Sequence, residues 1–156
     1  MGDHGIGHFC GSLLCPDLTL KVPSPAIGII LKGRMHFGIK RGEMPTVTAQ
    51  GKTFSCEPGA NLRQVLLQQG IDLYNGSAKV INCRGIGTCG TCSVHITGSV
   101  SAPNWRDRAR RALPPHQAER DLRLACQTQV VGDIRVTKYD EFWGQGTEPV
   151  WSPEQP

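Results

Sequence analysis

The sequence predicts an α+β fold, and three observations lead to this prediction. The chain contains 19 Gly and 11 Pro among 156 residues, which is more turn-forming material than a helical bundle carries. Short β-prone pieces surround glycine turn signals at 46–56 and again at 123–139. A single stretch at 62–69 shows the three- and four-residue apolar spacing of an amphipathic helix. The length corresponds to one domain, or to a smaller domain with an extension.

Residues 1–44 are predicted to form an N-terminal extension, because prolines and glycines interrupt them and no periodicity is sustained. One short strand is predicted within the extension, near 27–31. After residue 44 the pattern changes, and the β-prone pieces 46–50 and 53–56 surround Gly51-Lys52, a two-residue turn signal. A β-hairpin is therefore expected to open the domain.

Asn61 is predicted to cap a short helix at 62–69. Its side chain can accept a hydrogen bond from the first turn, and Gly70 suits the left-handed residue that ends many helices. Residues 75–92 consist mostly of Gly, Asn, Ser, Cys and Thr, so they are predicted to form a long loop. Long loops in compact domains are usually functional.

The C-terminal half is predicted to return to strands after two short helical pieces. Turn signals at Pro114-Pro115 and at Gly132 separate these elements. The predicted ranges are a strand at 93–97, helical pieces at 106–113 and 115–122, and strands at 123–131 and 133–139. The domain is accordingly placed at 45–147, and 148–156 is predicted to be a C-terminal tail.

Four cysteines form the pattern that carries chemistry. Cys83, Cys89 and Cys92 are separated by five and two residues within a glycine-rich loop, and Cys126 follows after 33 more. Four thiolates complete either a tetrahedral zinc site or an iron-sulfur cluster. Structural zinc sites typically pair two Cys-x-x-Cys knuckles, whereas here three cysteines crowd one loop, a layout that suits a cluster larger than one ion. An iron-sulfur cluster is the favoured interpretation, and structural zinc is the alternative.

Other interpretations of the sequence are weaker. Residues 85–90 match the G-x-G-x-x-G dinucleotide pattern, but a strand rather than a helix is predicted after them. A net charge of +4 is too small to indicate nucleic-acid binding, and the longest apolar stretch, 26–31, is far shorter than the roughly 20 residues that span a membrane. The odd number of cysteines and the absence of a signal-peptide pattern favour a reducing interior compartment. No second metal site is expected from the glycine-spaced His4, His8, Cys10 and Cys15.

The cysteine loop and the elements around it resemble those of the plant-type ferredoxins. The resemblance covers residues 45 to about 143 and includes the hairpin, the helix, the loop CRGIGTCGTC and the segment RLACQT. It implies one 2Fe-2S cluster on a β-grasp fold, a ubiquitin-like roll whose mixed sheet carries one main helix and a cluster-binding loop. The usual loop has four residues between the first two cysteines, whereas this chain has five, as in adrenodoxin-like and bacterial relatives. The chain is therefore interpreted as a divergent member with an N-terminal extension.

The resemblance also implies roles for individual residues. Cys83 and Cys89 would hold the iron nearer the surface, and Cys92 and Cys126 the inner iron. Backbone amides of the loop would donate hydrogen bonds to the sulfurs, with the cofactor-binding residues Arg84, Gly85, Gly87, Thr88, Gly90 and Thr91. The implied chemistry is one-electron transfer at low potential, near roughly −400 mV for plant-type clusters. The protein is thus predicted to be an electron-transfer protein and not an enzyme.

A basic run precedes the fourth cysteine and bears on the choice of partner. It is either a solvated helix face or a docking patch, and its members are Arg106, Arg108, Arg110 and Arg111, together with Arg120 and Arg123. In plant-type ferredoxins the same segment tends to be acidic and to dock an electropositive reductase, so this chain is expected to favour an acidic partner. Asp140 and Glu141 occupy roughly the place of the family's terminal acidic docking residues.

Three functions are consistent with these observations. The leading hypothesis is a monomeric electron carrier of photosynthesis-type redox chemistry, which serves ferredoxin-reductase-like or other redox proteins in a cyanobacterial or bacterial cytoplasm or in the chloroplast stroma. The second is a fixed 2Fe-2S subunit of a membrane-associated redox complex, without a membrane-spanning segment of its own. The third is a zinc-stabilised interaction domain, which would be colourless. Cys56, outside the motif, is expected to be a small buried hydrophobe.

Overall fold

A computed structural model describes residues 44–117 and 119–156. The strand predicted near 27–31 and the histidines and cysteines of the N-terminal segment lie outside these residues. The described part contains, in chain order, β1 (Thr46–Ala49), β2 (Lys52–Ser55), α1 (Leu62–Gln68), a 3₁₀ turn (Gly76–Lys79), β3 (Ser93–Val100), α2 (Trp105–Arg111), β4 (Leu122–Leu124), a second 3₁₀ turn (Ala125–Gln127), β5 (Val130–Tyr139) and β6 (Pro149–Trp151).

The strands form one mixed sheet, which confirms the predicted α+β class. Its order is β2-β1-β5-β3-β4, with β6 paired to β5. β1 and β5 run parallel at the centre, and the other pairs are antiparallel. A hairpin that is followed by a helix and closed by a parallel central strand is the β-grasp arrangement that the resemblance implies. Two helices of equal length accompany the sheet.

The opening hairpin and the first helix form where the sequence predicts them. The turn lies one residue earlier than expected, at Gln50 and Gly51, which both adopt positive φ (51° and 69°) as a two-residue hairpin turn requires. The Asn61 side chain accepts a hydrogen bond from the backbone N–H of Gln64 at the start of α1. The helix buries its apolar face in the core, with Leu62, Val65 and Leu66.

The predicted boundary between the strands at 123–131 and 133–139 is wrong. β5 runs through Gly132 without a turn, and the residues around Cys126 form the second 3₁₀ turn between β4 and β5. Gly132 serves close packing instead, because a Cβ there would lie 3.0 Å from the Ser99 Cβ of the neighbouring strand. The register of β3 against β5 shifts at the same level. A glycine that permits close approach of two strands carries the same sequence signal as a glycine in a turn.

The helical piece predicted at 115–122 is also wrong, because the described residues at 115–117 and 119–121 form turns and irregular backbone and β4 begins at Leu122. The piece predicted at 106–113 is confirmed as α2, which starts one residue earlier and ends at Arg111. The buried Asp107 fixes α2 against β4. Its carboxylate accepts hydrogen bonds from Arg123 Nε at 2.5 Å and from the Leu124 N–H at 3.2 Å.

Residues 148–156, predicted to be a tail, contribute β6 to the fold. Trp151 is buried in the core, and its indole N–H donates to the Asp72 carbonyl at 2.8 Å. The Gly51 N–H in the hairpin turn donates to the Pro153 carbonyl at 3.1 Å. The end of the described chain therefore packs on the ferredoxin-like sheet.

We expect Trp151→Ala to lower the free energy of unfolding by about 3–5 kcal/mol, since it removes a large buried aromatic side chain and leaves a cavity. Val150→Ala is the matched control, because Val150 lies beside Trp151 in β6 but is exposed, and its change should stay within about 0.5 kcal/mol. Chemical denaturation followed by circular dichroism measures both. Equal unfolding midpoints for the two variants would show that β6 is not part of the cooperative fold.

Candidate metal centre

The four predicted cysteines lie together as two close pairs. In the outer pair, the Sγ atoms of Cys83 and Cys89 are 3.1 Å apart and half-buried. In the inner pair, Cys92 and Cys126 are 2% and 6% exposed, and the thiols are close enough that Cys126 raises the pKa of Cys92 while Cys92 lowers the pKa of Cys126. Two pairs of thiols fit a binuclear cluster better than one tetrahedral zinc.

Three elements of the fold bring the inner pair together. Pairing of β3 with β4 sets Ser93 opposite Leu124, so the residues that adjoin these strand ends become neighbours. The Ala125 N–H accordingly donates to the Cys92 carbonyl at 3.1 Å. From α1, the Asn61 side-chain amide donates to the Cys126 carbonyl at 2.8 Å. The residue that caps the helix thus also holds the turn of the fourth cysteine.

The loop between Cys83 and Cys89 turns backbone N–H groups towards sulfur. Burial of the Cys83 thiol acts to raise its pKa, but hydrogen bonds from the backbone N–H and the thiol of Cys89, and from the N–H groups of Gly85 and Gly87, outweigh burial and lower the pKa to about 6. Gly85 and Gly87 adopt φ values of 107° and 93°, which L side chains rarely reach. These glycines permit a conformation that stabilises a thiolate, the form in which cysteine binds metal.

The other predicted cofactor-binding residues take different positions. The Thr91 hydroxyl lies 3.2 Å from Cys89 Sγ and its residue is fully buried. The Arg84 N–H donates to the Asn82 side chain at 3.0 Å, whereas Thr88 is exposed. The Gly90 carbonyl accepts from the Ser93 hydroxyl at 2.9 Å. Gly85, Gly87 and Thr91 are therefore the predicted residues that approach sulfur directly.

Sequence reasoning missed several side chains that hold the loop. The Gln127 amide donates to the Gly85 carbonyl at 3.0 Å and to Cys126 Sγ at 3.4 Å, so it links the loop to the inner pair. The Cys89 carbonyl accepts from Arg110 at 3.2 Å and from the Trp143 indole at 3.1 Å. Gln127 adjoins Cys126 in the sequence, but adjacency does not tell where a side chain points. Arg110 and Trp143 carry no local signal, since their contacts span 21 and 54 positions.

His116 packs under the loop as a neutral side chain. Its Nε2 atom lies 2.9 Å from the Ser93 hydroxyl oxygen and 3.3 Å from the Gly90 carbonyl oxygen. Burial, reinforced by the nearby Arg110 guanidinium, lowers the pKa of His116 to about 4. The imidazole packs so closely against Gly90 that a Cβ on Gly90 would lie 2.4 Å from His116 Cε1.

Comparison with known families agrees with this geometry. The family described as 2Fe-2S iron-sulfur cluster binding domain matches residues 46–131. The chain belongs to this family. The predicted likeness to plant-type ferredoxins, the β-grasp fold and one 2Fe-2S cluster as cofactor are confirmed. The residues present fit that cofactor, since four thiols in two pairs and inward N–H donors are what two irons and two sulfides require.

A curated relative is the photosynthetic NDH subunit of subcomplex B 3, chloroplastic, from Arabidopsis thaliana. It is 39% identical to this chain over 74 residues, which make up 46% of this chain and 35% of the relative. The chain thus spans about a third of that protein's length in the match. No helix in the described part of the chain is long and apolar enough to cross a membrane.

We expect Gly90→Ala to lose more iron and more stability than Gly85→Ala. Both glycines have positive φ (79° and 107°), so both variants carry a backbone strain of about 1–2 kcal/mol. Only the methyl group at 90 meets a neighbour, at 2.4 Å, whereas the nearest atoms at 85 lie 3.9 Å away. Iron analysis and thermal unfolding of the purified variants measure the difference. Equal losses would mean that the His116 contact does not support the loop.

Proposed function

We propose that this protein is a one-electron carrier whose cluster is held by Cys83 and Cys89 at the outer iron and by Cys92 and Cys126 at the inner iron. The observation that carries the proposal is the arrangement of the four thiols as an outer and an inner pair around a loop with inward N–H donors. A bound 2Fe-2S cluster supplies one-electron redox chemistry. Because that chemistry moves one electron and requires no change in a substrate bond, we infer electron transfer and not enzymatic catalysis.

The chain's own residues set the conditions for this chemistry. Backbone N–H groups of Gly85 and Gly87 stabilise negative charge on Cys83. The inner pair is closed off by core residues, which keeps water away and limits reorganisation of the surroundings. The outer pair is half-buried and therefore faces the side on which another redox protein can approach. Electrons are accordingly proposed to enter and leave at the Cys83–Cys89 side.

A contiguous surface patch next to the outer pair supports docking of a partner. The patch consists of Ile86, Trp105 and Arg106. Ile86 and Trp105 are 59% and 67% exposed, and Arg106 joins them because it donates to the Ile86 carbonyl at 3.2 Å while its guanidinium carbon lies 5.2 Å from the centre of the Trp105 ring. Exposed Trp and Arg beside an aliphatic side chain are the composition of interface hot spots.

The members of the basic run differ in exposure and in their contacts. Arg106 and Arg108 are exposed, whereas Arg110 is half-buried and donates to three backbone carbonyls, those of Cys89, Leu113 and Pro114. The first two suit a docking surface and Arg110 suits support of the loop. The Asp140 carboxylate accepts from the Glu148 N–H at 3.1 Å, which gives it a part in the turn before β6. We therefore propose a redox partner with an acidic surface.

A fixed subunit of a membrane-associated redox complex is the second candidate function. The observation that favours it is the 39% identity over 74 residues to a protein whose name places it in a photosynthetic NDH subcomplex and in the chloroplast. On the same ground we propose the chloroplast stroma as the compartment. An electron shuttle should be a monomer both after purification and in a tissue extract. A fixed subunit should instead migrate with a large complex in the extract. Native electrophoresis of solubilised membranes distinguishes the two.

We expect Cys83→Ala, Cys89→Ala, Cys92→Ala and Cys126→Ala each to lose most of the iron and sulfide, since each removes a thiolate that holds an iron directly. Cys56→Ala is the control, because Cys56 is buried in the core outside the two pairs and should retain the cluster. Iron and sulfide analysis, the visible spectrum before and after dithionite, and electron paramagnetic resonance of the reduced protein provide the measurements. A cluster that survives the loss of Cys126, or a colourless zinc-containing wild type, overturns the assignment.

We expect Arg106→Glu to slow electron transfer from the reduced protein to an acidic blue-copper protein about fivefold at low salt, because it reverses a charge beside the proposed exit side. Lys52→Glu is the matched control, since it makes the same change of net charge in β2 and Lys52 is exposed. Stopped-flow rates at low and high salt, with the basic cytochrome c as a second acceptor, measure the effect. Equal slowing by both variants would mean that net charge and not this patch governs the encounter.

A further inference from the structure

Lys138 is a buried lysine next to the inner thiol pair. It lies in β5 with an exposed fraction of 0%. Its ammonium donates to the carbonyls of Thr91 and Ser93, each at 2.9 Å. These two residues flank Cys92 in the sequence, so the ammonium is held against the segment that presents that thiol.

This buried cation has no carboxylate partner in the part of the chain that the structure describes. The ion pairs found there are Lys79 with Asp72, Arg123 with Asp107, and Arg135 with Glu154. A buried ammonium without a counter-charge is costly, and proteins normally pair such groups. The groups that favour its charged form are the thiols of Cys92 and Cys89, whereas burial lowers the pKa of Lys138 to about 8. We therefore assign the counter-charge of Lys138 to the thiolates of these two cysteines.

The pocket of the ammonium is closed on its remaining side. Gly144 covers it, and a Cβ at that position would lie 2.8 Å from Lys138 Nζ and 3.0 Å from the Ser93 carbonyl oxygen. Arg63 also acts on the inner pair, where it favours the charge of Cys126. It is only half-buried, so solvent screens it more than it screens Lys138. Of these two cations, Lys138 is therefore the one that solvent screens less.

We propose that Lys138 is a positioning residue that gives the thiolates of Cys92 and Cys89 a fixed buried counter-charge and thereby raises the reduction potential of the cluster. The proposal rests on the proposed function. When a donor protein delivers one electron, the site gains one negative charge. A fixed positive charge in a medium of low dielectric constant stabilises that reduced state more than the oxidised state. The side chain acts through the Thr91 and Ser93 carbonyls and through its field, without binding the metal.

The test compares Lys138→Met with Lys138→Gln in the full chain. Lys138→Met removes the charge and both hydrogen bonds at similar length, and Lys138→Gln removes the charge but keeps a donor for the carbonyls. Lys52→Met is the control, because it makes the same change in net charge at an exposed position. Iron content and the visible spectrum are measured first, and dithionite titration with redox mediators then gives the reduced fraction at fixed ambient potentials.

We expect both Lys138 variants to show a ratio of reduced to oxidised protein about tenfold lower than wild type at the same ambient potential, a shift of about 59 mV for one electron. Lys52→Met should have the same reduced fraction as wild type at each ambient potential. Lys138 variants that contain the cluster but have the same ratio of reduced to oxidised protein as wild type overturn the proposal. The proposal is also overturned if Lys138→Gln alone keeps the wild-type ratio, because the effect would then come from hydrogen bonding and not from charge. A wild type without iron and without visible bands would instead refute the proposed function.

Discussion

The structure depends on closing the inner thiol pair inside the core although 33 residues separate its two cysteines in the chain. The β3–β4 pairing solves this by bringing the end of the cysteine loop beside the turn that carries Cys126. Asn61 at the start of α1 then holds that turn from the other side. The β3–β4 pairing, the Asn61 cap and the turn of Cys126 are thus linked to one another. A change in any of them therefore affects the inner thiol pair.

The surroundings of the two pairs differ in a way that suits electron transfer. Around the inner pair the fold provides burial, the Gln127 amide and the Lys138 ammonium. Around the outer pair it provides backbone N–H groups and an exposed rim with Ile86 and Trp105. Low dielectric surroundings strengthen electrostatic effects at the buried side, whereas the exposed side allows a partner to approach. Burial and the buried ammonium thus belong to the inner pair, and solvent exposure belongs to the outer pair.

The basic helix α2 illustrates how one run of like charges serves several purposes. Its buried Asp107 ties it to β4 through Arg123, and Arg110 reaches back to the Cys89 carbonyl. Arg106 instead lies over Trp105 on the surface. The helix is thereby fixed relative to the loop, which allows its exposed residues to present a patch of defined geometry beside the outer pair. Substitution of the whole run would change the exposed surface and the support of the loop at the same time.

The sequence by itself determined the local features of this protein. The spacing of the cysteines, the glycines between them, the hairpin and the capped helix all rest on short-range geometry, so the family, the fold and the cofactor could be predicted from them. The tertiary structure alone decided which residues meet across long separations. Gly132 lies inside a strand because Ser99 packs against it, Trp151 belongs to the core because β6 pairs with β5, and Lys138 is buried because the loop and Gly144 close over it. Burial and the partner of a charge are properties of the assembled sheet, and no local pattern encodes them.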